Sequence, residues 1–134
     1  MTRIGLISDT HGFLDESVFR HFKDCDEIWH AGDFGNADLA DKLSAFKPLK
    51  GVYGNIDGMD IRAHYPEQLV FMCESVKVMM RHSHILKVIY DQQYQCLHIN
   101  PGAAGKQGWH KVRTLVRLTI DGKEMKDCNV IELR

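Results

Sequence analysis

RIGLISDTH, residues 3–11, is the stretch on which the fold turns. Its apolar front half reads as a short buried strand that runs into Ser8 and Asp9, a polar step that ends it. The pattern recurs twice. EIWHAGD (residues 27–33) is a second strand ending in an aspartate, and LKGVYGNID (residues 49–57) a third ending in Gly54-Asn55. Two helical segments separate them. Asp15 stands as a cap before Val18, Phe19 and Phe22, which share one face. Asn36 stands as a cap before ADLADKLSAF, whose Leu39, Leu43 and Phe46 recur at helical spacing before Pro48. This β-α-β-α-β order calls for parallel strands joined by crossover helices.

The second half changes character. QLVFMCES, VKVMM, ILKVIY, YQCLHIN, TLVRLTI and EMKDCNVIEL all read as strands, with YDQQY and IDGKE as hairpin turns. No linker, repeat or low-complexity tract interrupts them, so residues 1–134 are expected to form one α/β domain. Hydrophobic residues make up 44% and charged residues 26%, and the net charge is -1. That balance points to neither a nucleic-acid nor a membrane partner, and any substrate attraction must be local. The four cysteines are scattered without a Cys-x-x-Cys pair, the N-terminus lacks signal-peptide character, and no run approaches a membrane span. A cytoplasmic location is the expectation.

In open α/β sheets, ligands bind beyond the carboxyl ends of the strands. The three loops carrying Asp9-Thr10-His11, Gly32-Asp33 and Gly54-Asn55-Ile56-Asp57 should therefore converge. Carboxylate, imidazole and amide donors without thiolate suit Mn²⁺, Fe²⁺ or Zn²⁺. Taken singly, each residue has an ordinary reading as a cap or a turn former; taken together, they describe a site.

The ordered set DTH…GD…GNID, then RHSH (residues 81–84) and INPGAAG (residues 99–105), resembles the calcineurin-like metallophosphoesterases, most closely their small single-domain microbial phosphodiesterase branch. The resemblance runs through nearly the whole chain. It implies an αββα sandwich: two mixed sheets face to face, with helices outside. It also implies two divalent ions, Mn²⁺ first, with Fe, Zn or Ni as alternatives. Asp9 and His11 would bind the first ion, Asp33 would bridge both, and Asn55 would bind the second and meet the phosphate. In the Gly-His-x-His element of the family, His82 would match a ligand of the second ion that also faces phosphate, and His84 a ligand of the first. Asp33 and Asn55 would carry the catalysis. The implied activity is hydrolysis of a phosphate ester, preferably a diester, on a small or nucleotide-like substrate; self-association into a homo-oligomer is left open. The alternative is a non-catalytic, protein-binding scaffold of the same fold, like the family's retromer subunit.

Two departures stand out. Larger relatives carry Gly-Asn-His where this chain has Ile56, which cannot move a proton. The family also has a strand-end histidine, then a loop, a helix and a strand before Gly-His-x-His. Here both ends meet on one histidine, so His82 matches either position. Residues 76–90 hold no Gly, Pro, Asn or Asp, longer than one ordinary strand. If the two halves of this run are parallel neighbours, about a dozen linking residues are required. The expectation is that a loop–helix–strand segment of about 25–30 residues is absent near residues 81–83. Asp57 is expected to shape the Asn55 loop. Asn100, Pro101 and Gly102 are expected to form a turn bordering the site. His30 and Trp29 are expected to pack in the interior, and Trp109 at the surface.

Overall fold

Apolar side chains alternate along the first strand, and that alternation divides the interior in two. The structure is a computed structural model that describes residues 1–82, 87–91, 96–100 and 113–133. Strand β1 (Thr2–Ile7) pairs in parallel with β2 (Glu27–His30), which pairs in parallel with β3 (Leu49–Gly51). On its other side β1 pairs antiparallel with β8 (Arg113–Asp121), which forms a hairpin with β9 (Glu124–Leu133). The hairpin turns at Asp121–Glu124, where Gly122 takes a left-handed φ of 62°. The order of this first sheet is β3-β2-β1-β8-β9. The second sheet holds β4 (Gln68–Cys73), β5 (Val76–Arg81), β6 (Lys87–Asp91) and β7 (Cys96–Asn100), in the order β4-β5-β7-β6.

Ile4 and Leu6 of β1, Trp29 of β2 and Val116, Leu118 and Ile120 of β8 point one way. They meet Val76, Val78 and Met80 of β5 in the layer between the sheets. Trp29 is fully buried there, edge-on to Phe71 with ring centroids 4.9 Å apart. Ile7, Ile28 and Leu115 point the other way, as the two-residue period of a strand requires. They pack under helices α1 (Ser17–His21), α2 (Ala37–Phe46) and α3 (Met59–Arg62), which contribute Val18, Leu39, Leu43 and Ile61.

The α2 helix starts as its sequence demands: Asn36 Oδ1 accepts from the Leu39 N–H at 2.9 Å. Asp15 acts beside the start of α1, its Oδ1 accepting from the Ser17 N–H at 2.9 Å. Helix α3 has only four residues, too short to leave a periodic signature. The two face-to-face sheets are those the resemblance implied. All three described helices stand on the first sheet, while Val70 and Met72 on β4 stay exposed. Among the described residues no helix is long and apolar enough to cross a membrane.

The long apolar run at residues 76–90 divides into β5 and β6, and these are not neighbours. Strand β7 lies between them, parallel to β5 and antiparallel to β6. The parallel pair is therefore β5 and β7. The chain joining them, residues 82–95, passes through β6 and meets the length that a parallel return needs, about a dozen residues. His84, Pro101, Gly102, Trp109 and most of the YDQQY turn lie outside the described residues.

Gly5 sits on the helix side of β1, opposite a fully buried Phe22. A Cβ at this position would stand 2.6–2.7 Å from three ring atoms of Phe22. Gly5→Ala should therefore overpack the layer and lower unfolding free energy by about 1–3 kcal/mol. Urea denaturation would show this as a lower midpoint with an unchanged slope.

Candidate metal centre

Three strand ends of the first sheet and one of the second meet at a single edge. Asp9 and His11 follow β1, Asp33 follows β2, the turn at Asn55 follows β3, and His82 follows β5. The first two loops continue the sheet's ladder past its last residues. Asp9 N–H donates to Gly32 O at 2.9 Å, His11 N–H to Asp33 O at 3.0 Å and Gly12 N–H to Phe34 O at 2.8 Å. This bonding holds Asp9, His11 and Asp33 in left-handed backbone, with φ of 53°, 48° and 58°. Such conformations cost non-glycine residues on the order of 1 kcal/mol or more and concentrate where function sets the geometry.

The donors converge on a pair of buried carboxylates. Asp9 and Asp33 are 2% and 1% exposed. Asp33 Oδ2 lies 3.2 Å from His82 Nε2 and 3.5 Å from His11 Nε2. Asp9 Oδ1 lies 3.7 and 3.8 Å from the same two nitrogens. Donors bound about 2.0–2.2 Å from one ion stand roughly 3–3.6 Å apart, close to the spacings found here. The remaining oxygens are engaged outward. Ser8 Oγ donates to Asp9 Oδ2 at 2.8 Å, and the Ile56 N–H donates to Asp33 Oδ1 at 3.2 Å. His82 Nδ1 lies 2.8 Å from Ala31 O, so this nitrogen donates to the carbonyl and Nε2 is left facing the carboxylates. His11 Nε2 is buried with no hydrogen-bond partner. A buried polar atom in that condition is costly, and a cation among these donors would relieve it. Nitrogen and carboxylate oxygen ligands therefore fit a divalent ion of the Mn²⁺, Fe²⁺ or Zn²⁺ type.

Two glycines allow this approach. A Cβ on Gly32, whose φ is 107°, would stand 2.6 Å from His82 Nδ1. A Cβ on Gly54 would strike the Asp33 carboxylate.

Electrostatics separate the two acids. Burial lifts Asp9 above the usual carboxylate range, against the pull of the Ser8 hydroxyl and of His82. Burial pushes Asp33 up as well, but the His82 imidazole and the Ile56 N–H outweigh it and bring its carboxyl to about 2. Burial lowers His82, and its contacts with Asp33 and with Ala31 O reverse that and raise it. Asp33 is thus the fixed negative charge of the centre.

Sequence-predicted residues divide as follows. Asp9, His11, Asp33 and His82 come together. Asn55 stands exposed at the crown of its turn, next to Ile56, whose N–H holds Asp33. Asp57 shapes that loop as expected: its carboxylate accepts from the N–H groups of Gly54 at 2.8 Å, Gly35 at 3.0 Å and Phe34 at 3.2 Å. It so ties the second loop to the third. Asn100 closes β7. Ser8 and Thr10 are contributors that the residue pattern did not single out, because a hydroxyl beside a motif aspartate carries no spacing signal.

Comparison with known proteins gives the family and the fold. The family model described as the calcineurin-like phosphoesterase superfamily domain matches residues 2–89. A probable metallophosphoesterase from Methanothermobacter thermautotrophicus is 34% identical over 109 residues, covering 75% of this chain and 60% of the relative. The chain thus spans less than two thirds of that protein's length. Among solved structures, Chaetomium thermophilum Vps29 superposes with a TM-score of 0.74 at 14% identity, covering 99% of this chain and 97% of that one. Yfce, a phosphoesterase from E. coli, superposes with a TM-score of 0.64 at 17% identity, covering 95% and 98%. These two likenesses speak to the fold. The family match runs through every strand-end loop from Asp9 to His82, and by it the chain belongs to the calcineurin-like phosphoesterase superfamily.

Proposed function

We propose that this chain hydrolyses a phosphate ester, preferably a diester, with two divalent ions at the centre, Mn²⁺ first among them. The observation that carries it is the buried Asp33 carboxylate, flanked through one oxygen by both His11 and His82 beside a second buried carboxylate. Asp9 and His11 would hold the first ion, with His84 as a further ligand. Asn55 and His82 would hold the second, and Asp33 would bridge the two. When bound, the ions act as Lewis acids on the phosphoryl oxygens and lower the pKa of an attacking water.

The chain's own residues then set orientation. Asp33 keeps its place through the Ile56 N–H, and His82 keeps its ring angle through Ala31 O. The Asn55 amide, exposed on its turn, can donate to a phosphoryl oxygen. Ile56 follows it and cannot protonate a departing alkoxide, so esters with an acidic leaving group are the better substrates. We take the chain as a single domain over residues 1–134, abbreviated near residues 81–83 relative to the family pattern. It would act in the cytoplasm on a small or nucleotide-like ester.

Two outcomes are expected. With Mn²⁺, the wild-type chain turns over an aryl phosphodiester faster than the corresponding monoester. Asp33→Asn lowers that turnover by about 100-fold or more, beyond the loss of an outer-shell partner. No metal-dependent turnover, or turnover unaffected by the substitution, would favour the protein-binding scaffold, the reading to which the Vps29 likeness lends its shape. Metal loading should also appear in stability. Adding Mn²⁺ at a hundred times its dissociation constant to EDTA-stripped protein should contribute about 2.7 kcal/mol. Thermal melts would show the upward shift, and Asp9→Asn should remove most of it.

A further inference from the structure

We infer that His30 is a positioning residue for the metal centre, holding the loop of Asp9 and His11 against the loop of Asp33 through a hydrogen-bond chain that only one ring tautomer permits. This rests on the metal reading above and goes beyond it, since His30 is itself no ligand in that reading.

The ring is completely buried. Its Nδ1 faces the Gly32 N–H at 3.1 Å, and a backbone N–H can only donate. Nδ1 must therefore present a lone pair, which puts the proton of the neutral ring on Nε2. Nε2 lies 3.0 Å from Thr10 Oγ1 and so donates to it. The Thr10 hydroxyl has one proton, which it gives to Phe34 O at 2.9 Å. The chain runs from Gly32 N–H through His30 and Thr10 to the Phe34 carbonyl. It starts and ends on the second loop and passes through the first. Thr10 stands between Asp9 and His11, and Gly32 and Phe34 flank Asp33. The ring cannot turn away, because it stacks on Phe34 with centroids 3.7 Å apart and planes 11° apart. Phe34 is held in turn by Tyr65, with centroids 4.8 Å apart. Burial drives the pKa of His30 to about 3, in keeping with a ring that stays neutral.

The test measures Mn²⁺ affinity by calorimetry, beside the stability of the metal-free protein in urea. His30→Phe keeps the aromatic stack and removes both hydrogen bonds. Thr10→Val keeps the shape at the other end of the chain and removes the hydroxyl. Each is expected to weaken Mn²⁺ binding by about 10–100-fold. The double variant should be no weaker than the worse single, because both cut one chain. Wild-type affinity, within about twofold, in a folded single variant overturns the inference, as do losses that add in the double. A drop in metal-free stability with affinity unchanged would mark His30 as a packing residue and overturn it likewise. If His30→Phe does not fold, Thr10→Val decides alone. A wild-type chain that binds no Mn²⁺ overturns the metal reading itself, and this inference with it.

Discussion

The Asp33 carboxylate is the constraint around which the rest is arranged. It is charged, almost wholly buried, and stands beside a second buried carboxylate. An ionised acid in such a place is tolerated only when its oxygens are answered. One oxygen accepts from the Ile56 N–H of the third loop, and the other stands 3.2–3.5 Å from imidazoles of the second sheet and the first loop. Four separate segments must therefore arrive at one point. Left-handed backbone at Asp9, His11 and Asp33 lets them do so, and so do Gly32 and Gly54, where any side chain would collide with His82 or with Asp33.

The fold divides its labour unequally. The first sheet supplies three of the four segments from the carboxyl ends of parallel strands, where an open α/β sheet naturally places a ligand. The described helices lie on its far face and stabilise those strands from behind. The second sheet packs through Val76, Val78 and Met80, and its described contribution to the centre is His82, two residues past the buried Met80. That histidine is aimed by the Ala31 carbonyl on the first sheet. The geometry of the centre thus depends on the sheet-to-sheet packing as much as on either sheet alone.

Beneath the donors lies a layer of buried polar groups. Asp57 gathers three backbone N–H groups from the second and third loops, and His30 links the first loop to the second. Each is buried, and each has its hydrogen-bonding capacity met by neighbouring backbone or hydroxyl groups. Satisfied buried networks of this kind are rigid, so the spacing of the donors above them is fixed.

Much of this was legible in the residues. Local rules, which need no partner from elsewhere in the chain, specify the Asn36 cap, the helix at residues 37–46, the Asp-Gly turn near residue 122 and the strand-end positions of Asp9, Asp33 and Asn55. Pairing across the second sheet was not legible. The run at residues 76–90 looks the same whether its two halves are neighbours or not, because alternation encodes which face is buried and not which strand lies alongside. Nor could the pattern say where His82 points, since its ring is set by a carbonyl 51 residues away in sequence. By itself, the sequence determined which residues carry donors and at which strand ends they stand, because caps, turns and periodicity are local. Only the tertiary structure decided that the His11 and His82 rings stand 3.2–3.8 Å from the Asp9 and Asp33 carboxylates, because that meeting depends on two sheets packing face to face at one depth and register.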